Sequence, residues 1–68
     1  MTVASKVKQT LAQLRGAQST LKIYSTASRD GDAKAAFIDA ASVTGEVIAN
    51  LEDRLREIEF QEPQYEGK

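Results

Sequence analysis

Arg29-Asp30-Gly31-Asp32 is the stretch that decides the fold. It is the only strong break between two long runs of helical apolar spacing. It also divides the charges. Up to Arg29 the charged residues are Lys6, Lys8, Arg15, Lys22 and Arg29, while all ten acids and the other four bases follow from Asp30 onward, so the two segments carry +5 and −6. Gly31 fits either of two places, a left-handed residue ending the first helix or the first turn of the second. Asp30 and Asp32 both suit a helix N-terminus, where a carboxylate accepts from free backbone N–H groups and meets the positive end of the dipole. Asp30 is the expected cap. Asp-Gly between strands would read as a hairpin turn, but these flanks do not alternate with period two.

Before the turn, Thr2 is a good N-cap, and apolar positions recur at Val3, Val7, Leu11, Leu14, Ala17, Leu21 and Tyr24, the three-and-four spacing of one helical face. Gln18, Ser25 and Ser28 share that face, which therefore weakens toward the turn. A helix over residues 3–28 would be about 39 Å long. After the turn, Phe37, Ala40, Ala41, Thr44, Val47, Ile48, Leu51, Leu55 and Ile58 form a second face, widened by Ala36 and Val43. So wide a face implies contact with more than one neighbouring helix. This helix, over residues 31–60, fades near Phe60 because Pro63 disfavours helix in the residue before it. Residues 62–68 read as an extended tail.

In an antiparallel pair, level residues have a constant sum of numbers. Tyr24 with Phe37, Leu14 with Val47 and Val3 with Ile58 sum to 61; Leu21 with Ala41, Leu11 with Leu51 and Val7 with Leu55 sum to 62. The apolar layers therefore coincide over the whole length of a hairpin joined by a short connection at residues 29–30. The expected fold is all-α, an antiparallel two-helix hairpin over residues 1–61. Its core and interface comprise Val7, Leu11, Leu14, Leu21, Tyr24, Phe37, Val47, Ile48, Leu51, Leu55 and Ile58. Only eighteen of the apolar residues are larger than alanine. That is a small core for one hairpin, so a homodimer, most simply a four-helix bundle, is expected.

Two further patterns follow the same sum. Lys8, Arg15, Lys22 and Arg29 are spaced by seven, as are Asp32, Asp39, Glu46 and Asp53, and the couples sum to 61. They read either as solvated outer charges or as bridges between protomers or to a partner. Gly16 and Gly45 are also level. With Ile23 and Ile38 nearby, their small size would permit close helix approach. That strip, with Pro63 and Tyr65 of the tail, is the candidate partner surface.

The residue inventory restricts the chemistry. There is no Cys and no His. Serine and threonine hydroxyls thus lack the usual activating base, and the commonest metal ligand is missing. Asp30-Gly31-Asp32 is a fragment of a calcium loop without its later ligands, and no phosphate-binding glycine motif is present. No catalytic residue, metal or cofactor is expected. The basic first segment raises nucleic-acid binding, but the −6 segment and a pI near 5.3 oppose it. No apolar run approaches the ~20 residues of a membrane span. The N-terminus lacks the apolar core of a secretory signal.

Thr2 through Ala12, Gly16-Ala17-Gln18, Ala33-Lys34, Glu57-Ile58-Glu59 and Glu62 through Tyr65 together resemble the domain-of-unknown-function family numbered sixteen fifty-seven, of spore-forming bacilli and clostridia. The resemblance covers nearly the whole chain, with the two ends as its specific parts, and brings no catalytic residues. It implies a context of small helical proteins of sporulating cells, often encoded near spore membrane proteins. The functional expectation is a non-catalytic structural or accessory protein, cytoplasmic or within the spore. It would act through protein contacts, with a spore membrane protein as one candidate partner. The alternative is a small helical nucleic-acid-binding spore protein.

Overall fold

The computed structural model describes residues 2–61. It consists of two helices, α1 (Val3–Ala27) and α2 (Gly31–Gln61), packed along their length as an antiparallel hairpin. Among the described residues there is no strand. The expected tail at residues 62–68, with Pro63 and Tyr65, lies outside them.

Both helices begin on side-chain caps. Thr2 Oγ1 accepts from the Ser5 N–H at 3.1 Å, and Asp30 Oδ2 accepts from the Ala33 N–H at 3.0 Å. Each satisfies a backbone donor that the first helical turn leaves free. The Asp30 carbonyl accepts from the Lys34 N–H at 2.9 Å. Gly31 thus occupies the first turn of α2, and among the described residues no glycine has a positive φ. α1 ends at Ser28, whose backbone is extended and whose N–H and hydroxyl both donate to the Tyr24 carbonyl, at 2.9 and 2.7 Å. The chain therefore reverses without any left-handed residue.

The inward positions of α1 are Ala4, Val7, Leu11, Leu14, Gln18, Leu21 and Ser25, and those of α2 are Phe37, Ala41, Thr44, Ile48, Leu51, Leu55 and Ile58. Both sets alternate steps of three and four, the spacing of a coiled-coil seam. They pair off at a constant sum of 62, from Ala4 with Ile58 through Leu14 with Ile48 to Ser25 with Phe37. Among the described residues only Ala4, Leu11, Ala41 and Ile48 are buried outright, so the hairpin's own core is thin.

The seam corrects the sequence-derived face in detail. Each of the couples summing to 61 contains one residue that stands largely outside: Val3 is 55 % exposed, Tyr24 50 % and Val47 42 %. Ala17 is exposed too. Ala4, absent from the expected face, is only 2 % exposed and takes the inward place beside Val3. One residue is about 100° of helix, so an apolar neighbour pulls a predicted face sideways by that amount. Near the turn the seam is partly polar, and its polar groups are engaged. Gln18 donates its amide across to the Ala41 carbonyl at 3.1 Å. The Thr44 hydroxyl donates to Ala40 O at 2.7 Å and that of Ser25 to Lys22 O at 2.7 Å.

Candidate functional site

Two antiparallel helices in contact form a slab with two broad sides, one on each side of the seam. Helical periodicity puts Lys8, Arg15 and Lys22 beside the seam on one side of α1, and Val3, Thr10, Ala17 and Tyr24 beside it on the other. The corresponding rows of α2 are Ile38, Gly45, Glu52 and Glu59, and Ala40, Val47 and Arg54. Two ion pairs fix which rows share a side: Lys8 Nζ to Glu59 Oε2 at 2.9 Å, and Arg15 to Glu52. Both connect rows bordering the same flank of the seam.

On this charged side the basic heptad stripe is partly used within the hairpin. Its partners are Glu52 and Glu59, not the level acids Asp32, Asp39, Glu46 and Asp53. Those four lie on the back of α2, where Asp53 pairs with Arg56 of its own helix. Equal height along the axis does not bring two side chains together when they point to different azimuths. Nearer the turn the same side holds a hollow of about 340 Å³ lined by Gln18, Lys22, Ser25, Ile38, Ala41 and Ser42.

The expected small-residue strip does not form one surface. Gly45 is half-buried, and a Cβ added there would lie 2.8 Å from Gln18 Nε2. Gly16 is exposed, with nothing within 4 Å of its Cβ position. Ile38 lines the hollow just described, whereas Ile23 lines another with Lys22, Thr26 and Ala27. The two glycines are level, but only Gly45 faces the other helix.

The opposite side is different in kind. Beyond the row of Thr10, Ala17 and Tyr24, and that of Ala40 and Val47, the next positions out are Gln13, Thr20 and Ala27 on α1, and Ala36, Val43 and Asn50 on α2. No charge falls among these residues. Lys6, Arg54 and Glu57 stand only at the open end, with Arg54 and Glu57 paired at 3.7 Å. Val3, Val43, Val47 and Tyr24 are all exposed here. The Tyr24 and Phe37 rings meet at 5.4 Å between centroids with a 59° tilt, an aromatic contact at the turn end of this side. At the other end a hollow of about 210 Å³ opens between Val3, Lys6, Val7, Thr10 and Leu51. Of the expected core and interface residues, Leu11 and Ile48 are buried. Val7, Leu14, Leu21, Phe37, Leu51, Leu55 and Ile58 are half-buried in the seam, and Tyr24 and Val47 open onto this uncharged side. The signal for it in the sequence is the widening of the α2 face by Ala36 and Val43.

Chemically, the described residues offer contact surface. No group of three or more His, Cys, Asp or Glu among them is placed to hold a metal ion. Among the described residues, no helix is long and apolar enough to cross a membrane.

The family model described as "Protein of unknown function (DUF1657)" matches residues 7–55, and the chain belongs to that family. The matched stretch starts and ends on Val7 and Leu55, which are paired across the seam. It leaves out Thr2–Lys6 and Glu57–Tyr65, the ends on which the sequence resemblance placed most weight. No curated protein matches the chain, and no solved structure does.

Proposed function

We propose that this member of the DUF1657 family is a non-catalytic structural or accessory protein that works through protein–protein contacts made by the uncharged side of its hairpin. The observation that carries this reading is the exposure of Val3, Tyr24, Val43 and Val47 on one side whose middle holds no charge. Contiguous exposed apolar surface marks interaction sites, since in water it favours being covered. The lack of Cys and His in the chain supports the non-catalytic part, because nucleophile and base are then both hard to supply. The setting implied by the sequence resemblance is the sporulating cell or the spore, with a spore membrane protein among the possible targets.

Immobilised protein is tested against an extract of sporulating cells that includes native membranes. Proteins held by the wild type and released by Val47→Lys, but kept by Arg15→Ala, support the reading. If every association survives Val47→Lys, the uncharged side is not the working surface. The nucleic-acid alternative is tested by gel shift at two salt concentrations. Tight binding that falls steeply with salt would replace the present reading, because counterion release makes phosphate contacts salt-dependent.

A further inference from the structure

We propose that the occupant of the uncharged side is a second copy of this chain. The two hairpins lie side against side with their turns at the same end, α1 of each over α2 of the other. This rests on the reading above that this side makes the protein's contacts, and it names the partner.

Three observations converge on it. The first is area. α1 has 25 residues, about 38 Å at 1.5 Å per residue, and two helices side by side are about 20 Å wide, giving a side of roughly 750 Å². A stable interface of standard size takes about 800 Å² from each partner. The thin seam of each hairpin would thereby gain a second layer on Val7, Leu14 and Leu51.

The second observation is charge. α1 carries four bases and no acid, whereas α2 carries seven acids and three bases. Most of these charges border the opposite side or the back of α2; those at the open end of the uncharged side are Lys6, Arg54 and Glu57. Stacking α1 on the partner's α2 brings Lys6 level with the partner's Glu57, which favours that crossing.

The third observation is shape. With turns together, every residue keeps its height in the partner, so the seam sum of 62 also gives the level residues across the interface. Tyr24 then falls between the partner's Ala36 and Ala40. Val47 falls between the partner's Gln13 and Ala17, and Lys6 beside the partner's Glu57. Large residues meet small ones, and the base at the open end meets an acid. With turns at opposite ends, the same side turned onto itself puts α1 over the partner's α1 instead, so crossing and direction are a single choice.

The test combines sedimentation equilibrium with a distance. The chain contains no cysteine, so Arg29→Cys gives one spin label at each turn. The wild type is expected to be a dimer at micromolar concentration. Its labels should be separated by roughly 10–25 Å, one to two helix diameters, against about 40 Å for opposed turns. Tyr24→Lys with Val47→Lys should raise the dissociation constant at least about 30-fold, while Arg15→Ala on the other side leaves it unchanged. The label distance is read on the otherwise intact chain, so it stands even if the double variant fails to fold. A monomer at all concentrations, a long label distance, or a dimer indifferent to Tyr24→Lys and Val47→Lys overturns the proposal. A monomeric chain whose uncharged side still captures a different protein overturns this proposal alone and leaves the proposed function standing.

Discussion

The two halves of the seam are built differently. Toward the open end, Ala4, Val7, Leu11 and Leu14 face Ile48, Leu51, Leu55 and Ile58, and every inward residue is apolar. Toward the turn, Gln18, Leu21 and Ser25 face Thr44, Ala41 and Phe37, and hydrogen bonds replace much of the burial. The first half is held by area removed from water. The second is held by caps, back-bonded hydroxyls and one amide crossing the seam. The hairpin is therefore not a uniform zipper, although the helices are equally regular in both halves.

The largest effect should come from the open-end half. Leu11→Ala removes a side chain that is 2 % exposed, and should cost about 2–5 kcal/mol, read from the urea midpoint at fixed protein concentration. Leu21→Ala, half-buried among polar neighbours, should fall below it. Equal losses at the two positions would break the distinction between the halves. At the turn, Asp30→Ala removes the cap on Ala33 and should cost about 1 kcal/mol. That is a local hydrogen-bond effect with little change in buried area, so the denaturant slope should stay constant.

The two level glycines sharpen the comparison further. Gly16→Ala meets no atom within 4 Å and should stabilise by about 1 kcal/mol through helix propensity alone. At Gly45 the new methyl would displace the Gln18 amide and its bond to Ala41, so the same gain is offset by a hydrogen bond worth about 1 kcal/mol and the net change should be near zero. Identical responses would mean that Gln18 does not bridge the seam. The smallest effect is expected at Arg15→Ala. Its pair with Glu52 is exposed, which limits the loss to about 0–1 kcal/mol and makes it disappear at high salt.

Much of this was legible in the sequence because it is local chemistry. Thr2 and Asp30 announce their helices through their own side chains, and the turn and the antiparallel register follow from the position of Gly31 and from constant sums. The azimuth of each face was less legible. Val3 beside Ala4 and Tyr24 beside Ser25 both look like the better inward residue by size, yet the strict three-four rhythm places the smaller one inside. The charged heptads illustrate the same point: Asp39 and Glu46 are level with α1 bases but lie on the back of α2, whereas Glu52 and Glu59 share the azimuth of those bases. The uncharged side was visible only as excess width on α2, because its half on α1 is made of Thr10, Ala17 and Tyr24, which form no conspicuous run.

The order of the seam also sets the route by which the chain can fold. The contacts easiest to close, those flanking Ser28 and Asp30, are largely polar, with the Tyr24–Phe37 ring contact beside them. The first level pair with two large apolar side chains, Leu14 with Ile48, closes a loop of roughly thirty residues. Loop-closure entropy grows only logarithmically, by about 0.6 kcal/mol per doubling of length, whereas burying one leucine returns about 1.5–3 kcal/mol. Waiting for the distant pair is thus less costly than zipping outward from the turn. The nucleus is expected where Leu11 and Leu14 meet Ile48 and Leu51, with the bend closing afterwards, an order that φ-values at Leu14 and Asp30 would check. Changes at the bend then act on the speed of unfolding more than on that of folding.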